Sequence, residues 1–227
     1  MTEKSIIAIL NGLNRNPYYG NCIKHSISKN VELAHIWIEN SRHKHSPKTF
    51  FLIKKDNEYV GAVLDMKIDL HWVTLPQHRR KGYLTTALKE AIIPYLFSVV
   101  EREELNILIN ELEIGTENYD NSLNTALKVG FKKVDDTNFI LEENDFDFSN
   151  EELDIKHKGL SDAETEDICK ELKAIAKKVS VINSKIELSL GQTPSNYMKP
   201  SLDDMSYKLS YFPTLINDIK HDFIQGS

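Results

Sequence analysis

A chain of 227 residues, 41% hydrophobic and 27% charged, has the composition of a globular protein of one to two domains. That excludes collagen-like, low-complexity and wholly disordered chains. A formal net charge of −6 offers nucleic acid and anionic lipid no general electrostatic attraction, so neither is expected as a partner.

The N-terminal stretch holds an apolar run of five residues, Ile6 to Leu10, too short for the core of a signal peptide. The longest near-apolar run, Ala91 to Val100, spans ten residues and includes Pro94, Tyr95 and Ser98. A membrane span needs ~20 apolar residues, so the expectation is a soluble chain with no membrane partner. Cys22 and Cys169 lie 147 positions apart with no Cys-x-x-Cys pair, which fits a reducing compartment and a cytoplasmic location. Both read as small structural thiols rather than nucleophiles.

In chain order, Cys22 to Ser28 is a candidate first strand, and Asn30 to Glu39 sets Val31, Ala34, Ile36 and Trp37 on a rough helical face. Lys48 to Lys55 and Glu58 to Met66 are β-rich runs around Asp56-Asn57, a hairpin signal. Ile68 to Leu75 follows as a third strand, completing an antiparallel meander. The period then changes: Leu84, Ala87, Leu88, Ala91 and Ile92 share one stripe of a helix over Tyr83 to Leu96. Leu105 to Ile114 reads as a strand, and Asn121 to Val129 as a helix stopped by Gly130. Short strands Phe131 to Val134 and Phe139 to Leu141 close this region. Glu142 to Asp154 has seven acidic residues in thirteen and is read as part of a linker over 143–157. Beyond it, Ser161 and Glu164 form a capping box. Ile168, Leu172, Ile175, Val179, Ile182 and Ile186 then recur at 4, 3, 4, 3, 4. After a Gly- and Pro-bearing break at Gly191 to Ser201, the same spacing recurs in Met205, Leu209, Phe212, Ile216, Ile219 and Phe223, with Pro213 expected to kink or split that helix. These two stripes predict a C-terminal helical hairpin over 158–227.

The chemistry-bearing stretch is Leu75-Pro76-Gln77-His78-Arg79-Arg80-Lys81-Gly82-Tyr83-Leu84-Thr85, between a strand and a helix. A loop there aims backbone N–H groups and the positive end of a helix dipole at one anion. Gly82 permits close backbone approach, and Arg79, Arg80 and Lys81 reverse the charge locally in an acidic chain. A solvated basic turn that merely caps a helix is the competing reading. Neither GxxxxGK[ST] nor a second and third glycine is present, so the stretch is not a Walker A loop or a dinucleotide fingerprint.

The arrangement resembles the GNAT superfamily of acyl-CoA-dependent N-acyltransferases, whose cofactor motif Gln/Arg-x-x-Gly-x-Gly/Ala is matched by Arg79-x-x-Gly82-x-Leu84, with Pro76 six residues before the glycine. A second family signature, Asn-Ser opening a helix that ends in Lys-x-Gly-Phe, is matched by Asn121-Ser122 through Lys128-Val129-Gly130-Phe131, and the two glycines lie 48 residues apart. The resemblance covers roughly residues 20 to 142. It implies an α+β fold over 1–142, a mixed, mostly antiparallel sheet flanked by helices. Three departures stand out: Leu84 replaces a small residue, Ala126 stands where a tyrosine acid is often found, and Asn118 and Asn121 both miss the register of the family's asparagine.

The resemblance implies transfer of an acetyl group from acetyl-CoA to a primary amine, without an acyl-enzyme and without a metal. Trp72, Val73 and Thr74 would lie along the pantetheine arm, with Asn118 and Asn121 nearby. Arg79, Arg80, Lys81, Gly82, Tyr83, Leu84 and Thr85 would hold the pyrophosphate. Ser122 is the candidate proton donor to the leaving thiolate, with a helix-capping hydroxyl as its competing role. Asp69 and His71, alternating onto one strand face, are the candidate base pair, with Glu111 and Glu113 on the next strand as alternatives. Each of these competes with a plain surface role. Two other classes stay open: an acyl-CoA-binding sensor without turnover, and a helical interaction protein whose basic turn is incidental. The helical tail reads equally as packing against the rest of the chain, as a lid, or as a homodimer contact. Arg42 to Lys48, with His43 and His45, reads as a solvated basic loop rather than a metal site. The acceptor amine is not legible.

Overall fold

The computed structural model describes residues 1–16, 20–38, 45–191 and 199–226. The chain divides into two compact units, Met1–Lys156 and His157–Ser227. No helix among the described residues is long and apolar enough to cross a membrane.

The first unit is a mixed α+β layer structure. Helix α1 (Glu3–Arg15) is capped by the Thr2 side chain and buries Ile6, Ile9, Leu10 and Leu13. Five antiparallel strands follow in meander order: β1 (Asn21–Ser28), β2 (Val31–Trp37), β3 (Lys48–Lys55), β4 (Glu58–Asp65) and β5 (Leu70–Thr74). The segment expected to be helical at Asn30 to Glu39 is therefore the strand β2. Its Ala34 pairs with Phe50 and its Val31 with Ile53, so its apolar residues fill both faces of a sheet rather than one helical stripe.

Strands β3 and β4 are buried over Phe50 to Ile53 and Tyr59 to Leu64, because helices cover both faces of the sheet. Phe50, Leu52, Ala62, Leu64 and Val73 meet α1 on one face. Phe51, Ile53, Val60, Val63 and Leu70 meet the second layer on the other. The β3–β4 hairpin turns on Asp56-Asn57, with Asp56 at φ 56°.

After β5, helix α2 (Tyr83–Ala87) continues without a break into wide π-type turns at Leu88–Ile92 and Tyr95–Val99. Pro94 has no N–H to give to the carbonyl four residues back, Glu90. That carbonyl accepts the Glu152 N–H instead, at 2.8 Å. A second sheet, ordered β6 (Glu104–Leu108), β8 (Asn138–Glu142), β7 (Lys132–Lys133), completes the layer with helices α3 (Glu111–Ile114) and α4 (Thr116–Val129). Helix α4 ends at Gly130, whose φ of 107° closes the last turn, and Phe131 N–H bonds the Ala126 carbonyl at 3.0 Å.

The strand expected over Leu105 to Ile114 stops at Leu108, since Asn110 caps α3 by accepting the Leu112 N–H at 3.0 Å. The acidic stretch read as a linker is bound to the first unit up to Lys156. Phe146 and Phe148 stack edge to face at 4.9 Å and lie 5.9 and 6.3 Å from Phe97, and Asp154 N–H bonds the Ile27 carbonyl at 2.9 Å. Phenylalanines set among the carboxylates do this; the acids themselves stay in water.

The second unit consists of α5 (Asp162–Leu190) and α6 (Leu202–Gly226). Ser161 and Glu164 form the reciprocal capping box at the start of α5. The two helices run antiparallel: Asn183 bonds Asp203 at 3.0 Å, Ser206 bonds the Ala176 carbonyl at 2.9 Å, and Lys220 bonds Asp162 at 2.6 Å. Pro213 neither ends nor splits α6. It sits buried against α5, where its carbonyl accepts from Cys169 Sγ at 3.9 Å.

Candidate functional site

Strand β5 bonds β4 along one edge, pairing Val63 with Trp72 and Ala62 with Val73. Its other edge has no ladder to β6, which belongs to the second sheet. Where the strands part lies a cleft of about 890 Å³. One link ties its rim: the Leu108 N–H donates to Asp69 Oδ1 at 3.0 Å.

The cleft is bordered by His71, Trp72, Val73 and Thr74 of β5, by Arg79, Arg80 and Gly82 to Thr85 at the start of α2, and by Asn118, Asn121 and Ser122 of α4. Of the residues expected to bind a cofactor, Lys81 alone is not on the lining. Residues Met1 to Glu3 also border the cleft, a contribution the sequence reading missed.

The basic loop is shaped by two left-handed residues, Arg80 at φ 60° and Gly82 at φ 83°. Gly82 caps α2 without a side chain, and no acidic residue occupies the first turn. The first N–H groups of that helix have no acceptor within it and no side-chain cap. A Cβ on Gly82 would meet open space, so positive φ, not crowding, is what requires glycine here. Both guanidinium groups are engaged. Arg79 pairs with Glu3 and donates to the Thr74 carbonyl at 3.2 Å, while Arg80 pairs with Glu117 at 2.9 Å. The Thr2-x-x-Ser5 cap pattern was the sequence signal for the helix that delivers Glu3; nothing in the residue pattern pointed to its partner.

Deeper in the cleft, the Trp72 indole N–H reaches Ser122 Oγ at 3.4 Å. Ser122 is the seventh residue of α4, so the helix-capping role is removed. His71 is largely buried. Burial lowers its pKa despite the opposing Asp69 carboxylate, and its Nε2 has no hydrogen-bond partner among the described residues. Asp69 is raised above the ordinary carboxylate range by burial, partly offset by the Leu108 N–H and by His71. Asp69, expected to alternate with His71 on one strand face, lies one residue before β5 and is not on the cleft lining; its link to His71 is electrostatic.

Glu111 and Glu113, expected on a strand, sit on α3; both are exposed, and only Glu113 reaches the lining. Ala126, which stands where the resemblance led one to expect a tyrosine, is fully buried in the core and is not on the cleft lining. His78 was not expected to contribute, yet its ring borders the cleft 6.1 Å from Tyr83. Among the described residues no group of three His, Cys, Asp or Glu side chains is placed to hold a metal. Of the basic loop at Arg42 to Lys48, residues 42–44, including His43, lie outside the described residues.

No protein-family model matches this sequence. No curated protein matches it either. Among solved structures, a mutant form of the spermidine/spermine N-acetyltransferase SpeG from Vibrio cholerae aligns with 11% identity and a TM-score of 0.37, over 63% of this chain and 91% of that one. At that identity and superposition the likeness assigns neither family nor activity to this chain.

Proposed function

We propose that this chain is a GNAT-type N-acyltransferase that moves an acetyl group from acetyl-CoA to a primary amine by direct attack on the thioester. The carrying observation is the cleft between β5 and β6, with the uncapped first turn of α2 at one end and His71 and Ser122 on its walls. The order of three strands, helix, strand, helix, strand from Lys48 onward supports the same reading.

The unsatisfied N–H groups of Tyr83 to Thr85 suit a pyrophosphate, and Arg79, Arg80 and Lys81 add positive charge around it. The open edge of β5 at Trp72 to Thr74 suits the amides of a pantetheine arm, beside Asn118 and Asn121. In the transfer, the amine nitrogen bonds the carbonyl carbon and the carbon–sulfur bond breaks. One proton leaves the nitrogen and one reaches the sulfur. His71 is the group proposed to take the first: burial disfavours its charged form, and its Nε2 is buried without a hydrogen-bond partner among the described residues, so the amine or a water has to reach it there. Asp69 opposes that lowering and keeps some basicity on the ring. Ser122 accepts from Trp72, which leaves its own O–H to donate toward the thiolate.

The test is thiol release from acetyl-CoA across a panel of protein N-termini, lysine peptides, polyamines, aminoglycosides and amino acids. Ser122→Ala and His71→Ala should each slow release, and Asp69→Asn should weaken it. The second reading, a sensor that binds acyl-CoA without turnover, is favoured by the carboxylates already seated on Arg79 and Arg80. It prevails if acetyl-CoA binds but no amine releases thiol. If acetyl-CoA does not bind, both readings fall.

A further inference from the structure

His71 stands on the face of the first sheet that α1 covers. Its cross-strand partner Leu64 and its alternate neighbour Val73 both pack in the α1 cluster, whereas Leu70 and Trp72 pack on the opposite side. Its Nε2 is buried, so an acceptor amine arriving on that face meets protein before it meets the imidazole.

The residues at that place are Met1, Thr2 and Glu3. All three border the cleft, and the Glu3 carboxylate is close enough to His71 to act on its proton affinity. They precede Ile6, the first buried residue of α1, and take no part in the apolar cluster that seats the helix. Two polar links hold them instead. Thr2 caps α1 by accepting the Ser5 N–H at 3.3 Å, and Glu3 pairs with Arg79, both partners of that pair being partly exposed. Such links break at small cost. The segment is therefore a short strap, hinged ahead of Ile6 and clipped at Arg79.

The clip is also a cofactor contact. Arg79 is held at the end of β5 by its bond to the Thr74 carbonyl, inside the basic loop. A pyrophosphate in that loop brings two negative charges to the guanidinium, against the single charge of Glu3. Thr74 and His71 are three residues apart on β5, ~10 Å, a span that a three-residue segment with its side chains bridges. One carboxylate thus links the phosphate end of the cleft to the imidazole.

We propose that Met1 to Glu3 form a strap that covers His71 in the free chain and is released when the phosphates of an acyl-CoA take Arg79. The acceptor amine then gains the imidazole only after the cofactor has bound, an order of addition that rests on the acyl-CoA reading of the cleft.

The test is labelling of the full chain with diethyl pyrocarbonate, which acylates accessible neutral imidazoles, read residue by residue by peptide mass spectrometry. The probe is 3′-phospho-ADP, the nucleotide end of CoA without the arm that would itself screen His71. Exposed His35 is the internal control. Glu3→Ala should speed His71 labelling about 1.5- to 5-fold, the factor by which a partly exposed ion pair holds a closed state. Saturating nucleotide should speed it at least as much in the parent chain and add nothing in Glu3→Ala, where the clip is already gone. Bound nucleotide that leaves His71 labelling unchanged or slower would overturn the strap while the cofactor reading stands. So would labelling no faster in Glu3→Ala, or an equal nucleotide effect in both chains, because release would not run through Arg79. Calorimetry that finds acetyl-CoA bound but not the nucleotide would overturn it too, the phosphates being unable to claim the guanidinium. If neither binds, the cofactor reading falls and the strap falls with it.

Discussion

Replacing Gly82 by alanine separates a backbone role at the cleft from a general cost to folding. At φ 83° the residue is left-handed, and an L side chain there costs ~1–2 kcal/mol. The new methyl would meet nothing within 4 Å, so strain is the whole of the folding penalty. A control with the same physics exists in the second unit. Gly191 caps α5 at φ 64°, also with open space where a Cβ would stand. Both substitutions should lower the melting temperature by a similar ~2–8 °C, at ~2–4 °C per kcal/mol for chains of this length.

They should part company in ligand binding. Relief of the strain at 82 rotates the peptide entering α2 and turns its leading N–H groups away from the cleft. Loss of one hydrogen bond to a charged group is worth ~1.5–3 kcal/mol, or about 10- to 150-fold in affinity for acetyl-CoA. Isothermal titration with acetyl-CoA, run beside thermal unfolding on both variants, gives the two readings. If Gly82→Ala binds acetyl-CoA like the parent chain while losing the same stability as Gly191→Ala, the N–H groups of this turn do not hold the cofactor and the phosphate argument fails.

Three further outcomes follow from the same structure. Glu3→Gln should tighten acetyl-CoA binding by about 1.5- to 5-fold, the ~0.2–1 kcal/mol of a partly exposed ion pair no longer competing for Arg79; weaker binding would mean Glu3 positions that arginine instead. Because burial lowers the His71 pKa, the unfolded chain takes its proton more readily than the folded one. The contribution of His71 is therefore full above the ordinary histidine value and falls away as pH drops through it toward the lowered folded value. His71→Phe should flatten that limb of a denaturant-midpoint profile, and an unchanged profile would refute it. Phe148→Ala should cost about 2 kcal/mol in urea unfolding, less than for a fully buried phenylalanine, and a neutral result would show that the aromatic contacts with Phe97 and Phe146 carry no stability.

The legible parts were those with local grammar. Asp56-Asn57, Gly130 and the Ser161–Glu164 box announce turns and caps through their own backbone needs, and each is found as expected. The basic turn at Arg79 to Gly82 was legible for the same reason, whereas the helix expected to open at Asn121 starts at Thr116 and carries Ser122 in its second turn. Failures came where a distant partner decides. Residues 31–37 carry a mixed periodicity that only pairing with Phe50 and Ile53 resolves into a strand. Glu111 and Glu113 left the strand because one asparagine, Asn110, caps a helix ahead of them. Glu3 reaches Arg79 across 76 positions of sequence, a separation that no local pattern encodes.

The unusual bond between the Glu152 amide and the carbonyl that Pro94 leaves unserved has a practical consequence for anyone dividing this chain. Truncation after residue 142 would look generous by the sheet alone, since β8 ends there. Such a fragment would lose the donor for Glu90 together with both phenylalanines that shield Phe97, and would expose a helix weakened at its own proline. Fragments, fusions and protease sites intended to respect the first unit belong after Lys156.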